Sequence, residues 1–478
     1  MRKGLHRYRE VRTGPGRPPP HTGPYLSATG QLFGQLLGQR HRRAGPARES
    51  RLKTRCFSFE TESQLAGTAD HLRQSKAQCY RLRRPGGFNL SSADNSIFSP
   101  DRYVATRAPI EDAAPLPPDV YFSQEWYDRE IETIFRKRWL VATREEEIPN
   151  PGDYVRLDIV GEPLLIVRDD EGQIRALSAS CRHRGSELMT GHGNCRKIVC
   201  PYHAWTYSLE GKLLGTPSMK DAREFDKSDH NLPSVRAETW GGFVFINLDP
   251  DAVSLMESLG GLVDRLASYR LEEMKVTKKW ENRFNANWKI WVENSREGYH
   301  VPTVHRGSLD TFYPGAVRTA FQAGGEPMVY AINSSDIENG LYVPRNHTLP
   351  FVDGLSTQDN ESTHFIIHYP HLLLNVPPDR ITFHQYFPEG PEWTRIVSWC
   401  CFPQSTIDLP EFETEVEEKY YPSMDVFLAE DKGVCEIVHR GIGGQLAKLS
   451  RYSPTEERTV HEFSNYVLDH VLGPANSH

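Results

Sequence analysis

Cys181-Arg182-His183-Arg184-Gly185 and then Cys200-Pro201-Tyr202-His203-Ala204-Trp205 decide how this chain is read. In each stretch a Cys is followed within three residues by a His, and sixteen residues separate His183 from Cys200. Two such pairs at the tips of neighbouring loops can grip one inorganic centre between them. Cys2His2 is a zinc donor set. Zinc modules, however, usually pair Cys with Cys and His with His, whereas each loop here is mixed. A chance Cys/His-rich turn is the remaining bland reading, and the doubled spacing argues against it.

A mixed pair on each loop is what a Rieske [2Fe–2S] cluster requires, with two Cys on one iron and two His on the other. Neutral imidazoles in place of thiolates remove negative charge, so the cluster takes up an electron more readily. Cys181, His183, Cys200 and His203 are therefore the expected cluster ligands. With Arg184-Gly185 and Trp205-Thr206-Tyr207 beside them, they give a sequence that resembles the large (α) subunit of the Rieske non-haem iron oxygenases. The resemblance covers roughly residues 118–475.

A second chemical stretch begins at Asn287-Trp288-Lys289, which opens a predicted helix with Trp288, Trp291 and Val292 on its core face. It runs on to Glu297-Gly298-Tyr299-His300-Val301-Pro302-Thr303-Val304-His305. Glu297 and His300 would share a helix face. Pro302 disfavours a helical Val301, so the helix should end there and let His305 turn back to the same centre. Two His and one carboxylate on adjacent corners of an iron leave the others open for dioxygen and substrate. Alone, this string is equally explained by buried structural histidines. Behind a Rieske motif, His300 and His305 match the family's iron motif.

Spacing does not reveal the third ligand. The resemblance places it late, just ahead of a run that here reads Glu430-Asp431-Lys432-Gly433-Val434-Cys435-Glu436-Ile437-Val438. It implies Asp431, with Glu430 second and Glu436 third, against the alternative of a solvated acidic face. The resemblance also implies a role for Glu297. In the family an acid at this position, often Asp, bonds a cluster histidine across a subunit boundary and an iron histidine on its own side. That makes Glu297 the expected electron-transfer bridge and implies a head-to-tail homotrimer. The plain alternative is an exposed helix carboxylate.

The implied fold class is α+β: a small all-β Rieske domain inserted into a catalytic domain whose antiparallel sheet wraps around helices, of helix-grip type. Strands are predicted at 154–160, 163–168, 174–178 and 241–247, and a meander from Thr363 to Pro403. Helices are predicted from Ser123, over Leu255 to Tyr269, from Pro410 to about Val438, and from a Ser453 cap with Val460, Phe463, Val467 and Val471 on one face. The expected segments are a disordered basic leader (1–115), the start of the catalytic domain (116–150), the Rieske domain (151–250) and the catalytic iron domain (251–475).

The 478 residues carry a net charge of −7, but residues 1–100 hold 18 Lys+Arg against 6 Asp+Glu. A leader rich in Arg, Gly and Pro reads as dispensable, with a transit peptide or a nucleic-acid arm as alternatives. The acidic remainder argues against a nucleic-acid binder. No apolar run is long enough for a membrane span. Eight cysteines without a disulfide framework point to a reducing, cytoplasmic setting.

No Gly-rich dinucleotide fingerprint follows a strand, so a separate NAD(P)H-dependent reductase should supply electrons, directly or through a ferredoxin. The expected reaction is mono- or dihydroxylation of a small organic substrate with O2, an aromatic compound in the first reading. The alternative is a quaternary ammonium compound such as choline, betaine or carnitine, held by cation–π attraction. Glu at position 297 and the Arg451-to-Phe463 run resemble that second branch. Phe365, Tyr369, Phe383, Tyr386 and Trp399 are the candidate pocket walls. A reading of another class is a Rieske electron carrier without oxygenase activity.

Overall fold

The computed structural model describes residues 96–309, 328–333, 348–360 and 362–474. Strands β1 (Leu140–Arg144), β2 (Asp153–Ile159), β3 (Glu162–Arg168), β4 (Ile174–Ser178) and β5 (His192–Asn194) come first. Three short strands follow, β6 (Ile198–Val199), β7 (Thr206–Tyr207) and β8 (Leu213–Gly215), and then β9 (Ser234–Trp240) and β10 (Phe243–Asn247). They form a seven-stranded sheet ordered β1-β10-β9-β4-β3-β2-β5 and a three-stranded sheet ordered β6-β7-β8. The predicted strands fall on β2, β3, β4 and β10. Asp169 shapes the turn between β3 and β4: its Oδ1 accepts the backbone N–H of Glu171 and Gln173, and Arg175 closes on Oδ2 at 2.7 Å. Gly172 sits at φ +80° in that turn, where only glycine is unstrained.

One boundary differs from expectation. Leu140–Arg144, read as part of the 116–150 catalytic segment, is an edge strand of the β-domain sheet, paired with β10. All five of its residues are buried, and a strand buried on both faces has no alternation to announce it.

The second sheet comprises β11 (Met274–Phe284), β12 (Met328–Asn333), β13 (Ser362–His368), β14 (Leu372–Val376), β15 (Ile381–Pro388) and β16 (Thr394–Pro403). Its order is β11-β16-β15-β14-β13-β12, all antiparallel. Four helices matter for the site: α1 (Gln124–Thr133), α2 (Trp288–Asn294), α3 (Tyr421–Ile442) and α4 (Arg458–Leu472).

Register sorts the side chains of this sheet, because cross-strand partners share a face. Phe383 pairs with Trp399 and Leu374. Their face meets the first sheet: Phe383 packs edge-on against Phe243 at 4.8 Å, and Gln385 donates to the Val141 carbonyl at 2.7 Å. His384, Tyr386 and Ser398 occupy the opposite face. There Tyr386 meets Trp291 of α2, and Trp280 donates to Asp425 of α3 at 2.8 Å. The sheet therefore lies between the first sheet and the helices, as a helix-grip arrangement requires.

Ser123 caps α1 by accepting from Trp126 N–H. The buried helix positions are Trp126 and Glu130, while the predicted Tyr127 and Ile131 are only partly covered. Glu130 accepts from Trp126 Nε1, Trp288 Nε1 and Lys289 Nζ at 2.8, 2.8 and 2.7 Å. A buried carboxylate this fully satisfied ties α1 to α2, and apolar periodicity does not count it as core.

Three further expectations need correction. Residues 96–115 do not belong to a disordered leader. Two short helical segments form there, Tyr103 and Ala113 are fully buried, and Tyr103 packs on Trp126. Residues 1–95 lie outside the described residues. The connector at 255–269 is broken into Leu255–Leu259, Leu262–Arg265 and a 3-10 turn, with Gly260 at φ +50° interrupting it. Helix α4 starts at Arg458 rather than at Pro454. Ser453 closes a preceding turn, and Glu457 Oε2 accepts its N–H at 2.6 Å. The predicted face of α4 is buried as expected.

Candidate active site

The Cys181 and Cys200 loops repeat one local design. The Cys181 carbonyl accepts from Gly185 N–H at 2.9 Å, and the Cys200 carbonyl accepts from Ala204 N–H at 3.0 Å. The residue closing each turn is left-handed, Gly185 at φ +74° and Ala204 at φ +56°. Each turn thus lifts a His to its tip and keeps its Cys at the base. Cys181 and Cys200 are buried among Leu165, Leu177, Ile198 and Trp205, while His183 and His203 are half-buried. The two imidazoles meet edge to face at 4.8 Å, and Trp205 stacks on His183.

The donor chemistry fits a cluster. Nδ1 of His183 and Nδ1 of His203 are both buried without a hydrogen-bond partner, the state of a nitrogen reserved for a metal. Burial raises the Cys200 thiol, but backbone N–H groups of Tyr202 and His203 outweigh it and the net shift is downward, favouring thiolate. Tyr207 hydroxyl lies 3.3 Å from Cys181 Sγ. A single tetrahedral zinc would draw its donors to within about 4 Å of one another. Among the described residues, the sets of three donors that converge within 4.8 Å do not include this quartet. Two irons, not one ion, suit that spread.

One of the converging sets is His300, His305 and Asp431. Asp431 Oδ1 lies 3.0 Å from His305 Nε2 and 3.7 Å from His300 Nε2. The other nitrogen of each ring is engaged: Glu297 Oε1 holds His300 Nδ1 at 2.5 Å, and Glu430 Oε2 holds His305 Nδ1 at 2.7 Å. A carboxylate on Nδ1 fixes the proton there and leaves Nε2 free as a ligand. Burial would lower the His305 pKa, yet the Asp431 and Glu430 charges outweigh it and raise it. Three carboxylates around two imidazoles are short of positive charge, which a divalent iron would supply.

The local fold differs from the single helix expected. Helix α2 ends at Asn294, and a new short helix begins at Val301 with Pro302 in its first turn, where a missing N–H costs nothing. Glu297 sits in the turn between them, not on a helix face. Its Oε2 also accepts the His300 N–H at 3.0 Å, so one carboxylate positions both the backbone and the ring.

The three acidic candidates separate cleanly. Asp431 faces both histidines and accepts from Asn294 Nδ2 at 3.0 Å. Glu430 backs His305 and also accepts from Ser308. Glu436 turns away to accept from Asn285 N–H. Sequence reasoning did not single out Asn294 or Ser308, nor the positioning part of Glu430. Such roles leave no spacing signal.

The pocket walls also divide. Phe383 and Trp399 stack on each other towards the first sheet, and Tyr369 stacks on Phe463 and Tyr466 of α4. These three do not face the histidines. Phe365 and Tyr386 share the helix-facing side with Asn375, Thr382, His384 and Ser398.

Residues 138–228 match the Rieske [2Fe-2S] domain, and residues 271–473 match the ring hydroxylating alpha subunit catalytic domain. The chain thus belongs to the Rieske non-haem iron oxygenases and carries a [2Fe–2S] cluster and a mononuclear non-haem iron. The carrier reading without oxygenase chemistry is set aside by the catalytic-domain match. Among its relatives, the carnitine monooxygenase oxygenase subunit of Escherichia coli is 29% identical over 79% of this chain and 98% of its own length. The glycine betaine monooxygenase oxygenase subunit of Pseudomonas aeruginosa is 28% identical over 75% of this chain and 89% of its own. A crystal structure of a quaternary ammonium Rieske monooxygenase with its substrate γ-butyrobetaine matches with a TM-score of 0.61. That likeness carries 25% identity over 75% of this chain and 95% of the other. Among the described residues, no helix is long and apolar enough to cross a membrane.

Proposed function

We propose that this protein is the oxygenase component of a quaternary ammonium monooxygenase. The aromatic-substrate expectation gives way to its alternative. One observation carries this reading: the sheet face turned to the iron site is polar, with Asn375, Thr382, His384 and Ser398 in a largely buried row. An aromatic hydrocarbon would leave Asn375 Oδ1 and His384 Nε2, which have no hydrogen-bond partner among the described residues, unsatisfied at about 1–3 kcal/mol each. A zwitterion would satisfy them. The relatives acting on carnitine and glycine betaine support the same choice.

In this reading Cys181, His183, Cys200 and His203 hold the cluster, and His300, His305 and Asp431 hold the iron. Bound there, the two centres supply one-electron transfer and dioxygen activation. The chain's own residues do the rest. Glu297 and Glu430 keep the Nδ1 protons of His300 and His305 in place, so neither ring rotates out of the ligand set. Asn294 fixes the Asp431 carboxylate. Glu297 is also the bridge to a cluster histidine of a neighbouring copy in a head-to-tail homotrimer. The protein works in the cytoplasm with a separate NAD(P)H-dependent reductase. Hydroxylation of an N-methyl carbon consumes one O2, two electrons and two protons and releases one water. The carbinol then breaks its C–N bond, giving a tertiary amine, formaldehyde and a proton.

The test is turnover under oxygen-18 gas with a surrogate reductase and two pools, quaternary ammonium compounds and aromatic acids. A demethylated amine with one formaldehyde per O2 supports the reading. A doubly labelled diol from the aromatic pool overturns it.

A further inference from the structure

His384 is a histidine that the cluster and iron sites leave unused. It lies on β15, is 7% exposed, and shares the helix-facing side of the sheet with Tyr386. Its Nδ1 lies 2.7 Å from Ser398 Oγ on the neighbouring strand. Its Nε2 makes no hydrogen bond among the described residues, and the Asp431 carboxylate is near enough for its charge to act on the ring. Burial holds the pKa of the ring down to about 4, so it stays neutral at physiological pH. A neutral imidazole has one donor nitrogen and one acceptor nitrogen, and the partner of the first decides the role of the second. Among the described residues Ser398 Oγ has no other side-chain partner, so its hydroxyl can donate to Nδ1. With the Ser398 hydroxyl donating to Nδ1, the ring proton would sit on Nε2, on the helix-facing side of the sheet.

Around this donor the wall offers further hydrogen-bonding capacity. Asn375 and Thr382 share the face, paired across β14 and β15. Leu373, directly opposite His384, supplies an apolar floor. A neutral donor held away from water binds an anion without an ion pair, as an oxyanion site does. It leaves the cationic end of a zwitterion free to lie towards the iron site, where the reacting methyl group must sit.

We propose that His384, set in its tautomer by Ser398, donates Nε2–H to the carboxylate of the substrate and so selects betaine-type zwitterions over ammonium compounds that lack an acid group. The inference rests on the ammonium reading above and adds the recognition element to it. His384 is a specificity residue, not an iron ligand.

The experiment compares His384→Phe, His384→Gln and Ser398→Ala with the parent enzyme, each loaded with cluster and iron. Glycine betaine and carnitine are set against choline and tetramethylammonium, by calorimetric binding and by KM and kcat. A lost hydrogen bond to a charged group weakens binding about 10- to 100-fold. We expect that loss for the two acids in His384→Phe, a smaller one in Ser398→Ala, partial recovery in His384→Gln, and little change for the acid-free pair. Equal loss across all four compounds, or no loss for the acids, overturns the assignment while the ammonium reading stands. Should His384→Phe fail to load iron, Ser398→Ala and His384→Gln decide by the same acid-against-acid-free ratio. A parent enzyme that turns over none of the four overturns the ammonium reading and this assignment together.

Discussion

Each imidazole at the mononuclear site has a carboxylate on its outer nitrogen, and the two carboxylates have different consequences. Glu430 acts only within its own chain, through His305 and Ser308. Glu430→Gln should lower iron affinity about 10- to 100-fold, by loss of the charge that supports His305, and leave the cluster's visible absorbance intact. Equilibrium dialysis against iron reads that directly. Asp431→Ala should abolish stoichiometric iron binding under the same conditions, whereas Glu436→Ala should not. Glu293 carries a pH prediction. Protein fills most of the space around its carboxyl, although an edge stays accessible, and burial pushes its pKa up to about 7. Tyr121 hydroxyl donates to it at 2.6 Å and opposes that shift. The folded state therefore holds a proton there that the unfolded chain releases near pH 4.5. The resulting stability is complete below pH 4.5 and is lost as pH rises towards 7. Glu293→Gln should flatten the fall in melting temperature between pH 5 and 8. An unchanged slope would remove Glu293 from the account.

At the scale of elements, the cluster loops matter more as paired turns than as a motif. Ala204 occupies a left-handed position that Gly185 fills without strain. Left-handed backbone costs a residue with a Cβ about 1–2 kcal/mol, partly offset by the entropy of glycine when unfolded. Ala204→Gly should therefore stabilise the loaded domain by up to about 1 kcal/mol. Gly185→Ala should destabilise it by about 1 kcal/mol, through torsion alone, since nothing lies within 4 Å of the added Cβ. Denaturant titration followed at the cluster absorbance tests both. The iron-site segment teaches the converse. Its candidate donors are legible in the sequence, but its shape is not. Pro302 reads as a helix stop, yet it starts a helix, and the chain uses the turn at residues 295–300 to aim Glu297 at His300.

For the whole molecule, the N-terminal boundary is the informative feature. Tyr103, Ala113 and Leu116 are buried in the folded unit, and Arg107 pairs with Asp469 of α4. Deleting residues 1–95 should leave cluster content and melting temperature near parental values. Deleting residues 1–115 should expose the Trp126 side of α1 and cost several degrees or solubility. Equal behaviour of the two truncations would mean that residues 96–115 contribute nothing. The head-to-tail arrangement has its own test. Cys200→Ser chains should lack a cluster and Asp431→Ala chains should lack iron, so each should be inactive alone. Co-refolded together, they should recover part of the turnover if electrons cross between copies through Glu297, and none if each chain is self-sufficient.

The sequence by itself determined the chemistry. The mixed Cys/His pairs, His300 with His305, and the acidic run after Ala429 are local patterns, and a donor type at a given spacing can be read without coordinates. It also determined the meander and most strands, because alternation is local. Tertiary structure decided what depends on approach between distant segments. It set Asp431, and not Glu430 or Glu436, against the Nε2 atoms of both histidines, since three carboxylates on one helix differ only in what they face. It turned Phe383 and Trp399 away from the iron site and His384 towards it, because a strand shows both faces equally until something packs on one of them. It drew residues 96–115 into the fold, since their few apolar side chains have no partner until α1 and α4 are in place.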